Sequence, residues 1–185
     1  MPPAQRQIRQ QRDVDIANAR YEWARLALGS GQTELAEKAF REALELRRKA
    51  FGKDHPDVAK VVLTLAGICQ KQGRFIEAEQ LCREGVEIRR RILPPGTWTT
   101  GNAKSLLGEN LMGQRKFSEA ERLLLEANED FDAHPPPATE AKMVGFNLQR
   151  LVWLYEQWGK PEQAAAWRAK VPPGAEPLNT RIFAP

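Results

Sequence analysis

Two cysteines and two histidines are the side chains of this 185-residue chain best suited to metal binding or nucleophilic chemistry. Cys69 and Cys82 fall where the helical pattern described below calls for apolar side chains, which favours two buried free thiols over a disulfide. His55 and His134 each precede a proline, and neither has a second His or Cys at a metal-ligand spacing. The sequence therefore predicts no metal site.

No catalytic signature accompanies these residues. The sequence has no GxSxG, HExxH, P-loop or kinase motif, and its Ser, Cys and His residues form no nucleophile–base pattern. We therefore expect that the protein is not an enzyme and that it needs no cofactor.

Two basic runs, 47–49 and 89–91, lie 42 residues apart and could form one ridge that binds an anion or an acidic partner. The simpler interpretation, which we favour, is that these cations stabilise helix C-termini, by about 0.3–1 kcal/mol each. The net charge is only +4, from 28 basic and 24 acidic residues, and its sign changes along the chain. This pattern argues against a continuous track for nucleic acid.

A 42-residue repeat organises the whole chain and must position these residues. Its marker is an alanine five residues after a glycine or arginine that ends a helix, at Ala36, Ala78, Ala120 and, two residues late, Ala164. The proline-rich loop at 135–137 accommodates the two extra residues. A repeat unit that cannot bury its own apolar face must stack on its neighbours, so the period indicates a solenoid.

Each repeat is predicted to be a pair of helices. Apolar residues at spacings of 3, 4 and 7, such as Val58, Val62, Leu65 and Cys69, form one helical stripe. Small residues lie twelve positions before the first three marker alanines and allow the paired helices to approach closely, at Ala24, Ala66 and Gly108. The predicted pairs are 13–29 with 33–51, 56–72 with 75–92, 99–113 with 117–132, and 138–158 with 161–170.

The repeat resembles the tetratricopeptide repeat, and in particular the 42-residue variety of kinesin light chains, whose turn sequence Gly-Lys-Asp-His-Pro-Asp-Val-Ala stands unchanged at 52–59. The last two repeats are similar to those that follow bacterial serine/threonine kinase domains. The resemblance implies an all-α, right-handed superhelical solenoid of four repeats, at about 13–55, 56–97, 98–137 and 138–171. Residues 1–12 are expected to extend the first helix as a polar cap. Residues 172–185 form a proline-rich tail with Leu178, Ile182 and Phe183 as candidate anchors.

The resemblance also implies that the first helix of each repeat lines a concave groove. The register then predicts a partner-binding surface made of Tyr21, Arg25, Lys60, Leu63, Gln70, Glu109, Met112, Phe146, Gln149, Trp153 and Glu156. Phe146 and Trp153 are seven residues apart on one helix face and are the candidate apolar anchors. Two alternatives stay open for Trp153: the ring packs on the third repeat, or the tail covers it.

These observations favour a non-catalytic scaffold that binds a protein or peptide in the groove. The alternatives are a regulatory or targeting module of a bacterial signalling enzyme, such as a serine/threonine kinase or protease, and, less favoured, anion or nucleic-acid binding by the basic ridge. The solenoid ends and the tail are candidate sites of self-association. No apolar run is long enough to span a membrane and no signal peptide is evident, so we expect a cytoplasmic protein.

Overall fold

A computed structural model describes residues 3–175, and this part of the chain contains eight α-helices in four consecutive pairs. The candidate tail anchors Leu178, Ile182 and Phe183 lie outside the described residues. The fold is all-α and built from helix-turn-helix repeats, as predicted. The helices are α1 (Pro3–Gly29), α2 (Thr33–Phe51), α3 (Pro56–Lys71), α4 (Phe75–Ile92), α5 (Trp98–Gly113), α6 (Phe117–Ala133), α7 (Lys142–Gln157) and α8 (Pro161–Arg168).

The pairs stack so that the first helices form one row and the second helices another. Besides its partner within the repeat, α3 packs on α5, and α5 packs on α7. Apolar side chains fill the joints between repeats: Val58 and Leu65 of α3 belong to the same buried cluster as Phe40 of α2. A second cluster joins repeats two, three and four and includes Leu107, Leu124 and Leu151. The core is therefore continuous from one repeat to the next.

A residue with a left-handed backbone conformation follows the first helix of every repeat. Gly31, Gly73 and Gly159 have φ values of 79°, 74° and 73°, a conformation that glycine adopts without a Cβ clash. Arg115 occupies the equivalent place in the third repeat and has φ 59°. A residue with a Cβ in this conformation costs roughly 1–2 kcal/mol, so the register of the repeat outweighs the local preference of Arg115.

Two helices of the fourth repeat are shorter than predicted. A single 3₁₀ turn spans Ala138–Glu140, and α7 begins only at Lys142. The second helix, α8, ends at Arg168, because the prolines at 172 and 173 disfavour helical geometry in the residue before them and cannot continue a helix. At the other end, α1 begins at Pro3 and includes most of the predicted N-terminal extension.

Close helix contacts explain the small residues of the repeat. A Cβ added to Gly108 of α5 would lie 2.8 Å from Cγ of Leu124 on α6 and 3.4 Å from the carbonyl oxygen of Ala120. Ala78 is fully buried in the equivalent joint of repeat two. Both positions therefore have no room for a larger side chain.

Replacing Ala78 by leucine should overpack this joint and lower the free energy of unfolding by roughly 1–3 kcal/mol. Urea denaturation followed by circular dichroism measures the change. The matched control is Gln80→Leu, which adds the same side chain at an exposed position of the same helix and should stay within about 0.5 kcal/mol of wild type. Equal stability of Ala78→Leu and wild type would mean that the predicted helix register is wrong.

Candidate partner-binding groove

The first helices of the repeats, α1, α3, α5 and α7, form an inner row that carries the residues predicted to line the groove. Six of these residues are open to solvent. Arg25, Lys60 and Glu156 are exposed, and Phe146, Gln149 and Trp153 are half-buried. The other five are between 3% and 6% exposed and are covered by the chain itself: Tyr21, Leu63, Gln70, Glu109 and Met112. Fewer of these side chains are therefore open to solvent than the sequence predicted.

The side chain of Tyr21 is buried between repeats one and two and is not exposed to solvent. Its ring meets Phe40 edge-on at 5.4 Å between centroids. The guanidinium of Arg47 lies 4.4 Å from the Tyr21 centroid, and the ammonium of Lys60 lies 5.1 Å from it. Two cations close to one ring benefit from its negative face. Tyr21 therefore positions Lys60, whose side chain is exposed on the inner row.

A buried ion pair joins the inner helices of repeats three and four. Arg150 of α7 donates from Nε to Oε2 of Glu109 at 2.7 Å, and from Nη1 to Oγ of Ser105 at 3.1 Å. The side chains of Arg150 and Glu109 are only 7% and 6% exposed. Sequence reasoning placed Glu109 in the groove and missed Arg150. An acidic residue and a basic residue 41 positions apart, nearly one repeat, were the available signal.

Gly67 leaves a gap in the middle of the inner row. It occupies the register position of Arg25, Glu109 and Trp153 in the other repeats. A Cβ placed on Gly67 would find no heavy atom within 4 Å, apart from its own helix backbone and chain neighbours. A ligand can therefore approach the backbone of α3 closely at this point.

Aromatic side chains mark the repeat-four end of the row. Phe146 and Trp153 lie on α7, and Trp153 packs in part against the second core cluster. Glu156, one turn further along, accepts a hydrogen bond from Arg168 of α8. This end of the row of first helices therefore presents aromatic rings beside a carboxylate that is already paired.

The six cations of the basic runs, by contrast, all have partners within the chain, although three of them stay exposed. Arg47 donates to the carbonyl oxygen of Asp57 at 3.1 Å, and Arg89 donates to the carbonyl oxygen of Thr99, each ten residues ahead in the next repeat. Burial lowers the pKa of Arg89 to about 10. The remaining four cations each form an ion pair: Arg48 with Glu84, Lys49 with Asp13, Arg90 with Glu87, and Arg91 with Asp54. Four of the six cations thus link successive repeats, and because every cation already has a partner, the ridge does not favour an anion site.

Both cysteines are buried free thiols, as predicted. Burial raises the pKa of Cys82 to about 12, so its thiol is protonated and unreactive near neutral pH. Cys69 lies near Glu37 and Glu77, with one candidate ligand atom of each within 4.8 Å of the others. Arg74 already binds this group, with Nη2 lying 3.1 Å from Sγ of Cys69 and 2.6 Å from Oε1 of Glu37. A guanidinium there opposes a metal cation.

The histidines have structural partners in the turns between repeats. Nδ1 of His55 accepts a hydrogen bond from the backbone N–H of Asp57 at 3.2 Å and caps the N-terminus of α3. The ring also stacks on Phe51, with centroids 4.2 Å apart. Nδ1 of His134 lies 2.8 Å from the carbonyl oxygen of Gly96.

Among the described helices, none combines the length and the apolar character needed to cross a bilayer.

Comparison with known proteins agrees with this architecture. Residues 15–91 match the model of the tetratricopeptide repeat family. No curated protein matches the chain. The crystal structure of BtubC (BKLC) from P. vanneervenii is similar, with a TM-score of 0.77 and 17% identity, over 84% of this chain and 61% of that chain. This chain therefore spans less than two thirds of BtubC.

Two further crystal structures are of a kinesin light chain candidate from Podosopora anserina with nearly identical TPR-like repeats. They give TM-scores of 0.70, for a variant of that protein with one substitution, and 0.67, each at 19% identity over 84% of this chain and 72% of that chain. At these identities the likeness establishes a shared solenoid fold of the kinesin-light-chain type, and the partner must be inferred from the surface of this chain.

Proposed function

Residues 15–91 are tetratricopeptide repeats, and from this premise we propose that the protein is a non-catalytic scaffold that binds a peptide or partner domain in its groove. The gap at Gly67 is the observation that carries the proposal. This gap lets a ligand reach the backbone of α3 between Lys60 and the aromatic residues of α7. Repeats of this family typically bind proteins, which supports a protein partner.

The groove chemistry suggests what the ligand presents. The ammonium of Lys60 is exposed on the inner row and lies beside the Tyr21 ring, so a carboxylate of the ligand would be favoured there. Phe146 and Trp153 offer ring surface at the other end, where an apolar side chain of the ligand would bind. We therefore propose an extended segment with an acidic residue toward repeat two and an apolar residue toward repeat four.

Catalysis has no support in this groove. The carboxylate of Glu109 is already engaged by Arg150, and that of Glu156 by Arg168. A general acid or base needs a titratable group within reach of a substrate, and these two carboxylates are held by cations. Free buried thiols at Cys69 and Cys82 are in keeping with a reducing cytoplasm, where we place the protein.

Blocking the gap tests the proposal. Partners would first be captured from native lysate with wild-type protein, and the same capture repeated with Gly67→Trp and Gly67→Ala. The tryptophan should fill the gap and abolish capture, because the partner loses its close approach to α3. The alanine should retain capture and stabilise α3 by roughly 0.5–1 kcal/mol, because a helical glycine loses more backbone entropy. A partner held equally by Gly67→Trp and Gly67→Ala would bind elsewhere, against the proposal.

A further inference from the structure

One face of α1 exposes a row of apolar side chains. Ile16, Trp23 and Leu26 are 43%, 45% and 74% exposed, and Ala19 between them is also exposed. Ile8, 70% exposed, extends the row toward the N-terminus. Large apolar side chains that cluster in one continuous row on a surface mark a contact with another molecule more often than scattered ones do.

The repeat itself shows what this face does elsewhere in the molecule. One period later, the same four positions are fully or almost fully buried against α2 of the preceding repeat: Val58, Val61, Leu65 and Ile68. In repeat three they are again buried, as Thr100, Ala103, Leu107 and Asn110. The exposed row of α1 is thus equivalent to the stacking face, which later repeats bury against the repeat before them.

Leu35 of α2 makes the stacking face of the first repeat different from the internal stacking faces. The equivalent residues in repeats two and three are Glu77 and Glu119, which bind Arg41 and Arg83 of the preceding repeat at 2.5 and 2.6 Å. At the first repeat the carboxylate is replaced by a leucine that is 50% exposed. The face therefore lacks the acidic contact used inside the solenoid and has an apolar side chain in its place.

Within residues 3–175, the other end of the solenoid does not offer a matching surface. Inside the solenoid, a stacking face is received by a second helix of 17 to 19 residues, such as α2 or α6. The last second helix, α8, has only 8 residues. A head-to-tail contact between two copies would therefore lack half of the receiving helix, and a contact between two identical α1 faces is the better fit.

We infer that this face binds a second copy of the chain, with the two α1 helices packed antiparallel about a twofold axis. Ile16, Ala19, Trp23 and Leu26 follow the 3-4-3 spacing of a helix–helix seam. With the axis beside Ala19, the small side chains let the helices approach, and Ile16 of one copy faces Trp23 of the other. The surface lies outside the proposed groove, so the inference stands apart from the proposed function.

Charges at the two ends of the seam fix its direction. Arg9 and Arg12 lie at the N-terminal end of the row, and Glu34 lies beside Leu35 just past the other end. Within the described residues none of the three forms an ion pair. Antiparallel packing places the arginines of one copy near Glu34 of the other, whereas parallel packing would place like charges together.

The oligomeric state of the full chain tests the interface. Sedimentation equilibrium should show a dimer for wild type and at least a thirtyfold weaker dimer for Trp23→Glu, because a buried seam residue becomes a charge. Circular dichroism should show the same helicity for both. Ile76→Glu is the control, since Ile76 is also an exposed apolar residue, at 74%, but lies on α4, and it should leave the dimer unchanged. A monomeric wild type, or a dimer that survives Trp23→Glu, would overturn the inference.

Cysteine crosslinking tests the antiparallel geometry. Under mild oxidation Ala19→Cys should give a covalent dimer because each new thiol lies next to its copy at the axis. Leu26→Cys should not crosslink, since its copy lies at the far end of the seam. The two natural thiols are buried and contribute little background. Crosslinking through Leu26→Cys but not Ala19→Cys would exclude the packing that we infer.

Discussion

Replacing Arg150 by alanine should destabilise the protein by about 3–5 kcal/mol, more than the loss of any surface ion pair. The reason is that the buried Glu109 carboxyl group would be left without its partner, and Oγ of Ser105 would lose a donor. For a domain of this size, such a loss lowers the melting temperature by roughly 6–20 °C. Thermal and urea denaturation measure it.

Two control variants separate the buried pair from ordinary surface charges. Arg168→Ala removes a cation from an exposed pair with Glu156 and should cost at most about 1 kcal/mol. The double variant Glu109→Leu with Arg150→Met replaces both buried charges by apolar groups and should recover most of the lost stability. If Arg150→Ala costs no more than Arg168→Ala, the Glu109 carboxylate is hydrated and the joint is more open than described.

Replacing Trp153 by alanine should weaken partner binding at least thirtyfold, which corresponds to about 2 kcal/mol. A ring at the apolar end of the groove supplies contact area that no polar neighbour can replace. Calorimetric titration of the captured partner into wild type and variant measures the loss. Helicity should be retained, because Leu151 and Leu154 of the same helix remain in the core.

A second variant, which lacks the tail, tests whether the tail covers the groove. Deleting residues 172–185 should tighten binding if the tail occupies the groove, and should leave affinity unchanged if the groove is open. Arg25→Ala is a mild control: this residue is exposed and paired with Glu22 at 2.8 Å, so its loss should affect affinity much less than the loss of Trp153. If Trp153→Ala unfolds the fourth repeat while binding persists, the ring belongs to the core and the proposed anchor is wrong.

The fold could be predicted from the sequence because its determinants are local and periodic. Marker alanines every 42 residues fix the register, and glycines such as Gly73 end helices by a rule that needs no tertiary information. The same reasoning locates the end of the first helix in repeat three at Arg115, although a non-glycine residue is strained there. The 42-residue period therefore identifies the end of a helix where the conformational preference of the residue itself does not.

The depth of the groove could not be predicted in the same way. The register of a helix says which residues share a face, but not how far the neighbouring repeat covers that face. Tyr21 and Glu109 lie on the predicted face and are nevertheless buried, by contacts with Phe40 and Arg150 respectively. Arg150 itself was missed because a charged residue is ordinarily taken as exposed, and its partner is 41 residues away.

The location of the bound partner tests the central claim most directly. A photo-crosslinking residue can be placed at Lys60, exposed on the inner row, and in a second variant at Gln80, exposed on the second helix of the same repeat. Irradiation of each complex, followed by mass spectrometry, reports which surface the partner touches. Groove binding predicts a covalent adduct from position 60 and none from position 80. An adduct from position 80 alone would contradict it.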